Sequence, residues 1–291
     1  MTAWMAAAIL VLGTAQGETA MTLGPPEQAG TGFIFTEGPV WLGKEGLIFS
    51  DIPADTICKP DKTAFRKPSG QSNGLTLDGE GRLVVCETAT RRVTRTEKDG
   101  AITVIADQFD GRRFNSPNDA VVRSDGTIFF TDPPYGLPKR LKDPAAELDF
   151  GGVFAVKPGA APRVLGRDFE TPNGLAFSPD EKTLYVSDTE RKHIRAFDAA
   201  ADGTLSNCRE FYTLPVPDGL KVDRAGNVWC SAEDGVHVIA PDGKRIGLVA
   251  VPLASNCAFG GDDGKTLYVT ARTSVFQVRL TKPGIVPGPK R

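Results

Sequence analysis

NGLAFSPDEKTLYVSD, Asn173 to Asp188, opens on a carboxamide and a glycine, runs through a short apolar segment, turns on Ser, Pro and Asp, and leaves on alternating apolar residues. That order is a β-hairpin, two half-buried strands joined by turn formers. It recurs as EGPVWLGKEGLIFSD from Glu37, NGLTLDGEGRLVVCE from Asn73, NDAVVRSDGTIFFTD from Asn118, DGLKVDRAGNVWCSA from Asp218 and NCAFGGDDGKTLYVTA from Asn256. The starts lie 36, 45, 55, 45 and 38 residues apart, close to the length of a four-stranded propeller blade. HIRAFDA from His193 and REFYTL from Arg209 supply the two further strands of the fourth blade. The expected fold is therefore all-β: one six-bladed β-propeller with four-stranded blades, spanning residues 18–291. After Leu280 the tail TKPGIVPGPKR, with three prolines, cannot form a central strand. The outermost strand of blade six is expected instead from residues around Thr31 to Thr36, which would join the chain ends and cover an open sheet edge.

Composition narrows the class of partner. Hydrophobic residues at 40% and charged residues at 24% fit a globular chain with a real core. The balance of 34 basic against 36 acidic residues, net -2, gives no reason to bind nucleic acid or an anionic membrane surface. Met1 to Gly17 holds no charged side chain, and its apolar run from Ala3 to Gly13 is far shorter than the roughly 20 residues of a membrane span. It reads as a signal peptide, with Gly13 and Ala15 at the -3 and -1 positions of a cleavage site, although the usual basic residue before the apolar run is missing. A periplasmic or secreted protein is expected. The five cysteines, Cys58, Cys86, Cys208, Cys230 and Cys257, are scattered without metal-site spacing, and no structural disulfide is expected.

In a propeller the first strand of each blade lines the central channel, so one repeat position forms a ring at one height. Here that ring is Glu37, Asn73, Asn118, Asn173, Asp218 and Asn256. Asn and Asp commonly make turn bonds where a strand begins, but Glu does so poorly, and six oxygen-bearing side chains around one axis need a partner. A hard divalent cation would satisfy them: two carboxylates match its charge, and carboxamide oxygens complete a shell suited to Ca²⁺ or Mg²⁺. Zn²⁺ fits this donor set less well for want of His and Cys. Asp51, Glu87, Asp132 and Asp188, at the ends of the second strands, are expected on the same face as an acidic second layer. The insertion Pro133 to Gly152, which includes Tyr135, reads as a wall or lid, and GRRFNSP from Gly111 puts Arg112, Arg113 and Asn115 near the mouth.

Gly70-Gln71-Ser72-Asn73-Gly74 matches the G-x-S-x-G nucleophile elbow, but a strand and a glycine-rich turn follow where the elbow needs a helix. His193 and His237, the two histidines of the chain, sit inside alternating strand runs. A serine triad is therefore not expected.

Several motifs together resemble the gluconolactonase, senescence marker protein and luciferin-regenerating enzyme family: TEGPVW at Thr36, NSPNDAVV at Asn115, FTDPPYG at Phe130, TPNGLAFSPDEKTLYVSD at Thr171 and PDGLKVD at Pro217. The second and third are most similar to the bacterial gluconolactonase branch. The resemblance implies the same six-bladed propeller with a divalent metal, usually Ca²⁺, in the channel. It implies Glu37, Asn173 and Asp218 as ligands, with Asn118 close to metal or substrate. Two positions depart from the family pattern: Ser116 stands where some relatives carry a sugar-gripping Arg, and Thr88 where the bacterial branch often has His. The expected activity is metal-dependent opening of a sugar lactone, D-glucono-1,5-lactone above all. Asp218 is then both ligand and general base, and Asn118, Asn115, Asn73, Arg113 and Tyr135 are the substrate contacts. The alternatives are a related hydrolase of phosphotriesters or other lactones, and a non-catalytic binding propeller that keeps calcium for stability.

Overall fold

The computed structural model describes residues 21–289. Six four-stranded antiparallel sheets follow one another around the channel, and a two-stranded ribbon, Gln108–Phe109 with Arg112–Arg113, stands beside the third. The innermost strands are Thr36–Trp41, Ser72–Leu77, Ala120–Val122, Pro172–Phe177, Leu220–Val222 and Asn256–Gly260. Each begins at or within two residues of its ring position. Among the described residues no helix is long and apolar enough to cross a membrane, and all five cysteines are free.

The fourth strand of blade six does come from the amino-terminal side, but from Glu27–Thr31 rather than Thr31 to Thr36. Glu27 pairs with Gln277 and Thr31 with Ser274. Thr36 already belongs to the innermost strand of blade one. The chain needs the intervening residues to cross from the rim of one blade to the axis of the next, a passage the apolar pattern alone does not reveal.

The blades pack face to face through apolar side chains that alternate along each strand. Between blades two and three, Phe114, Phe130 and Phe154 meet at ring-centroid distances of 5.1–5.4 Å, together with Cys86 and Val93. Between blades five and six Trp229 meets Phe259 edge-on at 5.5 Å.

At the axis a second, polar set of contacts joins neighbouring blades. Ser50, Thr131 and Ser187, each one residue before the end of a second strand, donate their hydroxyls to the carbonyls of Asn73, Asn173 and Asp218 in the next blade, at 2.7–2.8 Å. Ser231 donates likewise to the Ser255 carbonyl, and Ser255 to that of Thr36, both at 2.8 Å, which carries the belt across the closure. The Gly after the ring residue explains the recurrent Asx-Gly and Glu-Gly pairs. A Cβ on Gly38 would lie 2.0 Å from the Asn73 carbonyl oxygen, and one on Gly219 would lie 2.0 Å from the Asn256 amide carbon. Only a residue without a side chain lets the innermost strands come this close.

Removing residues 1–31 deletes the closing strand and leaves Ser274–Arg279 as an unpaired edge. The shortened chain is expected to melt about 10 °C or more below the full one and to associate through that edge. Calorimetry and size-exclusion chromatography check this. Equal melting temperatures would mean that the strand does not close the ring.

Candidate active site

Three ring residues converge on one buried centre. Asp218 feels the Glu37 charge, which raises its pKa, and the Asn173 amide, which lowers it and donates to Thr189 Oγ1 at 3.1 Å. Burial pushes the Glu37 carboxyl up to about 7, against the N–H of Gly38 and the amide of Asn256, which pull it down. Burial, and then the Glu37 charge, raise Asp218 well above the usual carboxylate range. A buried carboxylate beside a part-buried one is costly unless a proton or a cation joins them.

Local backbone shape aims these side chains. In blades one, two and four the strand register slips just after Thr36–Glu37, Ser72 and Pro172, a bulge that redirects side chains from the sheet face. In blades three and five Asn118 and Asp218 continue the ladder ahead of the regular strand, their N–H groups donating to Thr131 and Ser231 carbonyls at 2.9 Å. Asn73 and Asn118 are buried at the equivalent height. Tyr135, from the insertion, stands near Thr171, Thr189 and Asn173, and burial raises its pKa.

Asn256 does not face the centre as a free oxygen ligand. Its amide nitrogen donates to Glu37 Oε2 at 3.0 Å, and its oxygen accepts from the Cys257 N–H at 2.9 Å. It holds Glu37 rather than the axis. The same amide nitrogen reaches Asp119 Oδ2 at 3.4 Å, and Lys221 Nζ lies 3.3 Å from that oxygen and 3.0 Å from the Leu220 carbonyl. Asp119 and Lys221 were not evident from the repeat. The available signal was Asp119 itself, a carboxylate at a position that is Gly in four of the six repeats.

The strand-end acids do not form an acidic layer around the centre. Asp51 accepts from the N–H groups of Ile34 and Phe35, Asp132 from Asn115 and Ser116, and Asp188 from Glu170 and Thr171, all at 2.7–3.2 Å. Each fastens the segment that leads into its own blade's innermost strand. Glu87 is taken up by Arg66, Arg92, Thr90 and Thr94, and Asp55 holds the Ser69 and Gln71 N–H groups in its stead.

Asn115 and Arg113 are likewise engaged away from the ring. Asn115 is fully enclosed, its amide donating to the Phe150 carbonyl at 2.9 Å. Arg113 is exposed, with its guanidinium on the Thr90 carbonyl at 3.2 Å, and neighbouring Arg112 is exposed as well. The insertion is a fixed wall: Leu148 and Phe150 join the core beside Phe114, and Arg91 grips the Ala145 carbonyl at 2.9 Å.

The residues fit a hard divalent cation. Glu37 is buried and Asp218 part-buried, and neither has a bonded cationic side chain, because the nearby ammonium of Lys221 is bonded to Asp119. Among the described residues no cluster of three His, Cys, Asp or Glu exists, so the shell would be completed by carboxamide oxygens, from Asn173 and Asn118. That is calcium or magnesium chemistry.

Fold and site thus define a six-bladed propeller with an oxygen-lined acidic centre in its channel. Residues 35–273 match the model of the SMP-30/Gluconolactonase/LRE-like region, and the chain belongs to that family. It is 35% identical to the gluconolactonase of Zymomonas mobilis, over 88% of this chain and 81% of the relative. It is 29% identical to the regucalcin of Xenopus laevis, over 81% and 82%. Among solved structures, a gluconolactonase from Xanthomonas campestris superposes with a TM-score of 0.79 at 32% identity, covering 92% of this chain and 99% of that one.

Two outcomes follow from the charges. Lys221→Met leaves Asp119, only 1% exposed, as an unpaired buried acid and is expected to cost about 3–5 kcal/mol. Adding Asp119→Asn should restore most of that loss in urea unfolding, and an unrepaired double variant would show that the two do not act as a pair. For Glu37, a pKa raised from 4.5 to about 7 means stability that is present below pH 4.5 and lost as pH rises through 7. In chelator, the melting temperature of Glu37→Gln relative to wild type should therefore climb between pH 4.5 and 8. A flat difference would show that Glu37 titrates normally.

Proposed function

We propose that this protein is a divalent-cation-dependent lactonase that opens D-glucono-1,5-lactone, or a close sugar lactone, to the aldonic acid. The observation that carries this is the pairing of buried Glu37 with part-buried Asp218 beside the Asn173 amide, in a chain 35% identical to a gluconolactonase over 88% of its length. Glu37, Asp218, Asn173 and Asn118 would hold the cation, Ca²⁺ by the all-oxygen donor set and Mg²⁺ next. When bound, it supplies an electrophilic pull on the lactone carbonyl oxygen.

The chain's own residues do the rest. Asp218 takes the proton from the water that attacks the carbonyl carbon. Its partial enclosure beside a second carboxylate makes it a better base than an exposed aspartate. The ring C–O bond then breaks, and the proton passes from Asp218 to the departing ring oxygen, so that one water is consumed and a hydroxy acid leaves. Glu37 is a ligand, held in place by Gly38 N–H at 2.8 Å and by Asn256. Tyr135, Asn73 and Asn118 offer polar groups to substrate hydroxyls. We also place the mature protein in the periplasm or outside the cell, on the reading of residues 1–17 as a signal peptide.

A calcium titration of lactone opening, corrected for the spontaneous reaction, separates the two carboxylates. Asp218→Asn keeps an oxygen and loses the proton acceptor, so its rate should stay about 10²–10⁴-fold low at saturating Ca²⁺. Glu37→Gln loses charge and affinity, so its rate should recover substantially. Equal recovery of both would remove Asp218 as the base, and a wild-type rate indifferent to chelation would refute the metal requirement.

A further inference from the structure

The opening above Asp218 has an unusual lining. A cavity of about 100 Å³ is bounded by Asp218, Val216, Leu253, Glu233 and Arg272, on the side of blades five and six. Val216 has φ 48° and Leu253 has φ 60°, the left-handed region that glycine and asparagine enter at little cost and that a β-branched side chain resists. Val216 lies between Pro215 and Pro217, and the Leu253 N–H is tied to the Glu233 carbonyl at 2.8 Å. The loops thus hold both residues in a conformation their side chains oppose. Neither side chain recovers that cost by burial, since Val216 is 40% and Leu253 47% exposed.

In blade two the residue two positions before the ring, Gln71, is also left-handed, with φ 50°. It is polar, and Asp55 accepts its N–H at 2.7 Å. An apolar pair in this backbone state, open to solvent and sharing a cavity with the carboxylate, is therefore peculiar to the Asp218 side. Strain of this kind, kept where folding gains nothing, points to a role at the site. Arg272, which also lines the cavity, is held with its guanidinium 4.9 Å over the Phe35 ring. The opening accordingly presents the Val216 and Leu253 hydrocarbon among the charged groups of Asp218, Glu233 and Arg272.

We propose that Val216 and Leu253 are specificity-determining residues that receive the hydrocarbon side of the substrate, so that the enzyme opens alkyl-substituted δ-lactones as well as sugar lactones. This rests on the lactonase reading above. The lactone carbonyl faces Asp218, the alkyl substituent lies on the two side chains, and the ring's polar edge turns to Arg272. The bond changes are those already given, with one water consumed and a 5-hydroxyalkanoate released.

The test uses the full chain with Ca²⁺ in excess, D-glucono-1,5-lactone and δ-nonalactone as substrates, and Val216→Asn, Leu253→Asn and their double variant. Asparagine accepts the left-handed backbone, so the variants should melt no lower than wild type, which keeps unfolding from imitating the effect. Wild type should open both lactones. The ratio of kcat/KM for the alkyl lactone to that for the sugar lactone should fall about tenfold in the double variant. Opening of gluconolactone with no action on δ-nonalactone, or a ratio that the substitutions leave unmoved, would overturn the proposal and leave the lactonase reading standing. Failure of wild type to open either lactone would overturn both.

Discussion

The site depends on how closely the six innermost strands approach the axis. That approach is set by one recurrent contact, a buried hydroxyl or glycine N–H of one blade bonded to the carbonyl of the next blade's ring residue or of the residue before it. Ser50, Thr131, Ser187, Ser231 and Ser255 supply the hydroxyls, and Gly74, Gly174 and Gly219 supply N–H groups at 2.7–3.3 Å. Each bond satisfies a carbonyl that has no water to turn to and fixes the height of a ring side chain. Where blade two has Cys86 in place of the hydroxyl, the Gly74 N–H still reaches the Asn118 carbonyl at 2.7 Å. The belt brings two carboxylates from blades one and five into the same small volume, which neither blade would do alone.

Two kinds of acid therefore share the channel, and the difference between them separates scaffold from chemistry. Asp119 is compensated from within the chain by Lys221 and by the Asn256 amide. Burial raises Glu37, burial and then the Glu37 charge raise Asp218, and neither has such a bonded ammonium. A protein that only needed a stable channel would gain by pairing every buried charge. Leaving one pair open, while Asn256 spends its amide on orienting Glu37, is the arrangement expected of a site that takes up a cation from solution. The strand-end acids belong to the scaffold: Asp132 is pushed up to about 7 by burial, and the Asn115 and Ser116 N–H groups act against that.

What the sequence made legible is what periodicity can carry. Six hairpins, the single closed ring and the ring residues follow from spacing and turn chemistry, because each repeat must bury the same face against its neighbour. The closing strand was legible in kind but displaced, since the crossing from Thr31 to Thr36 has no pattern of its own. The pairing of Asp119 with Lys221 joins residues 102 positions apart, and nothing local to either announces the other. The strand-end carboxylates were visible as a repeat and misread in purpose, because a carboxylate beside an acidic centre and one that caps N–H groups look the same in a row of letters. Asn115 and Arg113 were placed near the mouth by proximity in sequence, whereas the insertion turns them toward its own anchoring.

That anchoring bears on how the opening discriminates among substrates. Arg91 binds the Ala145 carbonyl, the Arg113 N–H binds Glu147, and Phe150 is packed at 6.0 Å from Phe154, so the insertion is built into the blade rather than hung over the channel. Tyr135 reaches the centre from this fixed base and stands near Asn173 and its threonine neighbours. A wall tied down in this way adds polar groups at set positions, and it gives selection without the free-energy cost of ordering a loop around each substrate. Selection between lactones then falls to two fixed features: the insertion, which brings the Tyr135 hydroxyl near Asn173, and the loops of blades five and six, where Val216, Leu253, Glu233 and Arg272 line the cavity beside Asp218.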